Sequence, residues 1–171
     1  RMTLEGLLGY CLAFSGDLER GAVLIHEAAG FDLSVELWRG NLDRSEASAR
    51  EMLERYRRQG DSWLASEENY RLSSILRAKG EEDPAAPLEE ALAVAMEGSC
   101  LFHELRLRAE LALLTADRGD AEAALGHLLR CREILAAGED WRGLAGRVLL
   151  AEGIHAAAQG RSSDAQGALR D

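Results

Sequence analysis

The chain has 171 residues, of which 47% are apolar, 29% are charged and 5% are aromatic, a composition typical of a folded globular protein. Its 30 acidic residues outnumber its 20 basic ones, so the formal net charge is −10 and a phosphate backbone is repelled. We therefore exclude nucleic-acid binding by this segment. The sequence also predicts no membrane span, because it contains no long apolar run.

Abundant alanine and leucine, with few aromatic residues, predict an all-α fold. The three cysteines, Cys11, Cys100 and Cys131, are odd in number and lie far apart within helical patterns. We expect them to be buried thiols in a reducing compartment, which predicts a cytoplasmic location.

Glycines recur at intervals close to twenty residues, with helical apolar patterning in each interval. They are Gly40, Gly60, Gly80, Gly98, Gly119, Gly138 and Gly160. A period of about forty residues per pair of intervals predicts stacked antiparallel helix hairpins, an α-solenoid, rather than one closed globule.

In chain order, helices are predicted near residues 3–15, 17–29, 32–39, 42–59, 62–79, 87–97, 100–118, 121–137, 141–159 and 163–171. They form about five hairpins in a single domain, residues 1–171, with approximate bounds 1–29, 30–59, 60–97, 98–137 and 138–171. Both ends fall within helices, so we expect truncation at each end. Gly16 and Gly40 are too close for a full unit, and the repeat register between them stays open.

The predicted turns combine a glycine that tolerates the left-handed conformation with a residue that can cap the next helix. The predicted N-caps are Asp17, Asn41, Ser62, Ser99, Asp120 and Asp140. The longer turn from Gly80 to Pro87 is expected to project from the surface, with Pro87 at the first position of the following helix.

Helical spacing also predicts which side chains are buried. Two apolar stripes are expected in the core, namely Ser45, Ala49, Met52 and Tyr56, and Ala124, Leu128, Cys131 and Leu135. Small residues five positions after turn glycines mark places where a helix must approach its partner closely. These are Gly21, Ser45, Ala124 and Ala165.

The chain resembles the tetratricopeptide-repeat (TPR) family in several short motifs. These are Leu8-Gly9 with Gly16-Asp17 and Gly21, Gly119-Asp120 with Ala124, and Gly153 with Gly160 and Ala165. The units are longer than TPR units, and none has the full pattern of a Trp, a Tyr and a closing Pro. Such longer units, above all residues 131–160, resemble the helical-repeat regions of bacterial multidomain signalling ATPases and LuxR-type transcriptional regulators.

This resemblance implies a concave groove lined by the first helix of each hairpin. The corresponding positions are Glu67, Tyr70, Ser74, Arg77, Arg106, Leu113, Asp117, Arg147, Leu150 and Ile154. Arginines beside an aromatic ring suit an acidic peptide or a C-terminal carboxylate. The competing interpretation is that these arginines pair with neighbouring acids such as Glu104 and Glu110.

The sequence therefore predicts a non-catalytic interaction or regulatory module that binds a peptide or partner domain, including other domains of its own parent chain. A homodimer through exposed terminal helices is a further expectation. The alternative function is a small-molecule effector sensor. No cofactor is expected, because the sequence has no phosphate-binding Gly-x-x-x-x-Gly-Lys motif.

A few residues could carry other chemistry. His127 and Cys131 have the spacing of two metal ligands, but a packed thiol beside an imidazole is the preferred interpretation. His103 with Glu104, and His155 with Glu152, are candidate acid–base pairs, although we predict no enzyme. Trp63 and Trp141 occupy equivalent places in two units, which favours packing between units.

Overall fold

A computed structural model describes residues 8–9, 11–12, 15–29, 36–37, 39–80, 83–138 and 143–170. Within these ranges the protein is all-α, with eight helices and no strand. The helices are α1 (Leu18–Ala29), α2 (Leu42–Gln59), α3 (Ser62–Lys79), α4 (Ala86–Glu97), α5 (Leu101–Asp117), α6 (Ala121–Ala136), α7 (Leu144–Ala158) and α8 (Ser162–Ala168). The predicted bounds of α2 and α3 are confirmed to the residue.

Helices that follow one another pack antiparallel. Lys79 at the end of α3 forms ion pairs with Asp43 and Glu46 near the start of α2, at 2.9 and 2.7 Å. Arg130 near the end of α6 pairs with Glu104 near the start of α5, at 2.9 Å. Such contacts require the chain to reverse between the two helices of each pair.

Alternate helices also lie side by side. From α2 to α8 each helix packs on the next, and α5 packs on α7 as well. Helices α3 and α5 meet through side chains, because Trp63 stacks on Phe102 near their first turns and Arg77 pairs with Asp117 near their last. These two helices therefore run parallel.

The turns follow the predicted glycine pattern except at Gly98, where φ is −79° and the next residue adopts the left-handed conformation instead. Not every predicted cap forms. Asp61 and Asp120 accept hydrogen bonds from Leu64 N and Ala123 N at 3.0 Å. Ser62 is thus the first helical residue of α3 rather than its cap.

Two other predicted caps do not act as predicted. The Asn41 side chain forms no cap hydrogen bond and instead donates to Glu36 Oε2 at 2.8 Å. Ser99 adopts a left-handed backbone with φ 52°, and the cap position of α5 belongs to Cys100. Asp140 lies outside the described residues.

The turn before α4 does not project as expected. Pro84, Ala85 and Pro87 are buried, and Ser73 Oγ donates a hydrogen bond to Pro84 O at 2.6 Å. Pro87 is the second residue of α4 rather than the first. The turn is apolar and packs beside α3. Burial of its apolar side chains stabilises this position by more than exposure of the turn backbone to water would.

The small residues predicted at close helix contacts are all buried, namely Gly21, Ser45, Ala124 and Ala165. Both predicted stripes face the interior, although Met52, Tyr56 and Leu135 remain partly exposed. The largest apolar cluster joins α5, α6 and α7 around Leu105, Cys131 and Val148.

Candidate functional site

Residues predicted to line a groove come together on one face of α3, α5 and α7. We call this surface the charged ladder and define it as Glu67, Tyr70, Ser74, Arg77, Arg106, Glu110, Asp117 and Arg147. Its members lie on three helices that are not consecutive in the chain, so only the packing of the hairpins makes them neighbours.

The first step of the ladder links α3 to α5. Arg106 Nη1 donates a hydrogen bond to Glu67 Oε1 at 2.5 Å. The Arg106 guanidinium also lies over the Tyr70 ring, 3.9 Å from its centroid. A cation in this position is attracted by the negative face of the ring. Arg106 is therefore held by a carboxylate and an aromatic face together.

The second step links all three helices through Glu110. Glu110 Oε1 accepts hydrogen bonds from Tyr70 Oη at 3.2 Å and from Arg147 Nε at 2.5 Å. Burial, reinforced by the Glu110 charge, raises the pKa of Tyr70, so the phenol remains a neutral donor. The hydrogen bond to Glu110 raises the pKa of Arg147.

The third step is the most exposed. Arg77 Nη2 donates to Asp117 Oδ2 at 2.6 Å, and about half of each side chain is accessible. Ser74 lies one turn away and donates its hydroxyl to Tyr70 O of its own helix at 3.1 Å. Ser74 therefore forms its hydrogen bond within its own helix, and its exposed side chain marks the open surface of the ladder.

Each predicted arginine of the ladder has a carboxylate partner, as the competing interpretation proposed for such side chains. Its three arginines face three carboxylates, so the formal charges of the ladder balance. Leu113 is buried in the core and does not line the surface, whereas Leu150 and Ile154 are partly exposed and pack against that core.

Glu110 and Asp117 lie one predicted repeat period after their partners on α3. Tyr70 and Glu110 are separated by 40 residues, as are Arg77 and Asp117. Glu110 was expected only as a possible partner of the arginines and was missed as a groove position, because it is one of three acids in α5. Adding one repeat period to the position of Tyr70 would have identified it.

His127 and Cys131 have the spacing of two metal ligands, although a packed thiol beside an imidazole is the preferred interpretation. Within the described ranges, no group of three or more His, Cys, Asp or Glu residues could hold a metal ion. Burial raises the pKa of the Cys131 thiol to about 12, which keeps it protonated. The expectation that all cysteines are buried is wrong for Cys11, which is exposed, and Cys100, which is partly exposed.

The candidate acid–base pairs are not formed. Glu104 is buried and binds Arg108 and Arg130, both at 2.9 Å, and these hydrogen bonds hold the pKa of Glu104 below its usual value. Glu152 pairs with Arg132 at 2.5 Å. His103 and His155 are both buried, and His155 lines the same cleft as Glu152 while that carboxylate binds Arg132.

His103 instead lies between α3 and α5. Its Nδ1 is 3.3 Å from Ser66 Oγ and 4.0 Å from Glu67 Oε1. Burial lowers the pKa of His103 despite the nearby carboxylate of Glu67, so the ring is neutral near pH 7.

Trp63 of α3 packs against α5 and is nevertheless half exposed. Its ring stacks on Phe102 with centroids 5.3 Å apart, and it meets His103 edge-on at 4.1 Å. Trp141, its predicted counterpart, lies outside the described residues.

The part of the chain that the structure describes contains no helix long and apolar enough to cross a membrane. No protein-family model matches the chain, and comparison with curated proteins and with solved structures also found no match.

Proposed function

We propose that the protein is a non-catalytic interaction module, a TPR-like α-solenoid in which the charged ladder binds a peptide or a partner domain. On this proposal it is a regulatory segment of a larger bacterial signalling or transcription-regulating protein in the cytoplasm. The observation that carries the proposal is the assembly of one polar surface from α3, α5 and α7.

The ladder can bind a carboxylate without first losing its own ion pairs. An arginine has five N–H donors. Arg77 directs Nη2 at Asp117, and Arg147 directs Nε at Glu110. Both side chains are more than a third exposed, so a peptide carboxylate can approach their other N–H groups. The exposed Ser74 belongs to the same surface, as does the half-buried Tyr70, which shares Glu110 with Arg147.

Site-specific photo-crosslinking tests this function in the full-length parent protein, expressed in its own cell. A photoreactive amino acid at Ser74 should yield a discrete adduct, or an internal crosslink if another domain of the same chain is bound. The same group at Glu122, an exposed residue of α6, is the matched control and should yield none.

Charge reversal then tests the arginines. Arg77→Glu combined with Arg106→Glu should abolish the Ser74 adduct, while circular dichroism shows an unchanged helical content. The exchange of Arg77→Asp with Asp117→Arg is the control for stability. It keeps the ion pair between α3 and α5 but moves the cation to α5, so a lost adduct in this variant reports lost recognition rather than a lost ion pair. An undiminished adduct in the double reversal would disprove the assignment of the ladder.

A further inference from the structure

Two adjoining clefts open where α2 ends and α3 begins. One, of about 210 Å³, lies between α2, α3 and α4, and the other, of about 100 Å³, lies between α3, α4 and α5. They share Ser62, Ser66 and Val94 as wall residues. We call the two together the paired cleft. No residue of the charged ladder lines it.

Three buried, uncharged polar side chains line the paired cleft. Asn69 belongs to the wall of the larger cleft, His103 to that of the smaller, and Ser66 to both. Each is at least nine-tenths buried. Ser66 Oγ and His103 Nδ1 are 3.3 Å apart, so a hydrogen bond links a residue that lines both clefts to one that lines the smaller cleft.

Two atoms of this cluster lack partners. Asn69 Oδ1 and His103 Nε2 are buried, and neither has a hydrogen-bond partner among the described residues. Buried polar atoms in folded proteins are nearly always paired, because leaving one unpaired costs its full desolvation free energy. Two such atoms come from different helices, and both belong to residues that line adjoining clefts, which indicates that something else satisfies them.

The remaining walls are largely apolar. Ala65 on α3 and Ala91 and Val94 on α4 line the larger cleft, and Trp63 stands half exposed at the smaller one. An apolar wall with a few convergent polar groups is the usual composition of a small-molecule site. Three charged residues also line the larger cleft: Arg57 and Glu90 form an ion pair with each other, and Asp61 accepts a hydrogen bond from Leu64 N.

The chemistry of the cluster selects an uncharged ligand. Asn and Ser carry no charge, and burial keeps His103 neutral. A buried ion placed against these groups would lose its hydration without gaining an opposite charge. Asn69 and His103 can each donate or accept, so the matching ligand must do both.

We propose that the paired cleft is a binding site for a small, uncharged heterocyclic amide, a planar molecule that donates one hydrogen bond and accepts another. Its ring packs between Ala91, Val94 and Trp63, and its polar atoms bind Asn69 and His103. The Asn69 amide reaches the ligand by rotation about its terminal torsion, which is soft in amide side chains.

This site is independent of the peptide-binding proposal, because it uses none of the ladder residues. A failed ligand test would leave the Ser74 crosslinking result unaffected, and a failed crosslinking result would leave the ligand test standing.

Nuclear magnetic resonance on the full chain tests the proposal, with nicotinamide and uracil as separate probes. Each presents a ring amide or carboxamide of the required kind. We expect saturable shifts of the His103 ring and Asn69 side-chain amide signals with at least one probe, at a dissociation constant below about 1 mM. Trp63 fluorescence should change over the same concentration range.

Two controls test whether binding is selective for an uncharged ligand and for this site. Nicotinate has the nicotinamide ring with a charged carboxylate and should cause no saturable shift. His155 is a buried histidine with an unpartnered Nδ1 beside a different cleft between α6, α7 and α8, and its signal should not move.

Asn69→Leu removes the amide at similar volume and should weaken probe binding about tenfold or more. Ser66→Ala provides a second, milder variant if Asn69→Leu does not fold, and should weaken binding in the same direction. The proposal is overturned if neither probe shifts His103 or Asn69 at several millimolar, if nicotinate binds equally well, or if His103 and His155 shift together without saturation.

Discussion

At the scale of single residues, Gly9 shows what the glycine of the Leu-Gly motif does. A Cβ at this position would lie 2.8 Å from the carbonyl oxygen of Gly21 and 2.8 Å from Ile25 Cγ1. Backbone oxygen cannot move aside as a flexible side chain can, so the contact between these segments requires glycine on one side and a small residue on the other.

We predict that Gly9→Ala destabilises the protein by about 1–3 kcal/mol through overpacking. Gly126→Ala is the matched control, because a Cβ at this exposed position of α6 meets no atom within 4 Å. It should raise the free energy of unfolding by up to about 1 kcal/mol, as alanine favours helix. Urea denaturation of the two variants measures both effects, and equal midpoints would contradict the close contact.

The buried Glu104 provides a second residue-scale prediction. It accepts hydrogen bonds from Arg108 on its own helix and Arg130 on α6. Glu104→Gln keeps the shape but removes the charge, and we expect it to lower the free energy of unfolding by about 1–3 kcal/mol. Glu133, which binds the same Arg130 at the surface, is the control. Glu133→Gln should change stability by less than about 0.5 kcal/mol in chemical denaturation.

At the scale of helices, the ends depend on local chemistry that differs between similar turns. Asp120 caps α6 through its side chain, whereas the residue before Cys100 in the equivalent turn is a left-handed Ser99 with no capping role. A serine in a turn indicates a possible cap, but its backbone conformation decides whether the hydroxyl can reach the helix.

We predict that Asp120→Ala lowers the melting midpoint, with a loss of about 1 kcal/mol. Ser99→Gly should leave the stability unchanged or raise it, because glycine adopts φ 52° without steric cost. Thermal denaturation followed by circular dichroism compares the two. If Ser99→Gly were the more damaging change, the cap positions described for α5 and α6 would be wrong.

At the scale of the whole molecule, buried histidines give the fold a defined pH dependence. Burial lowers the pKa of His103, His127 and His155. In the unfolded chain these groups titrate near about 6.5. The unfolded state therefore binds more protons below that pH, and the free energy of unfolding must fall as the pH falls.

We predict that the urea midpoint decreases between about pH 7 and 5, at constant ionic strength. Carboxylates with a lowered pKa, such as Glu104, lose their contribution to the free energy of unfolding only below about pH 4.3. The decrease between about pH 7 and 5 is therefore due to the histidines. Exchanging His155 for phenylalanine should reduce the decrease. A midpoint that stays constant or rises toward pH 5 would show that these rings are not buried in the neutral form.

Much of the fold could be predicted because its signals are local. The turn glycines depend only on the residues next to them. The buried positions Ser45, Ala49 and Ala124 follow from apolar spacing within one or two helical turns, which can be recognised in the sequence. The bounds of α2 and α3 and the burial of the small residues follow from those patterns alone.

The sequence by itself thus determined an all-helical chain with short reversing turns and the residues that face its interior. Only the tertiary structure decided which charges meet. Glu110 binds both Tyr70 and Arg147, and Ser66 meets His103, between helices that are not consecutive in the chain. The physical reason is that a helix presents many equivalent polar positions, and the packing of its neighbours selects the few that come within hydrogen-bonding distance.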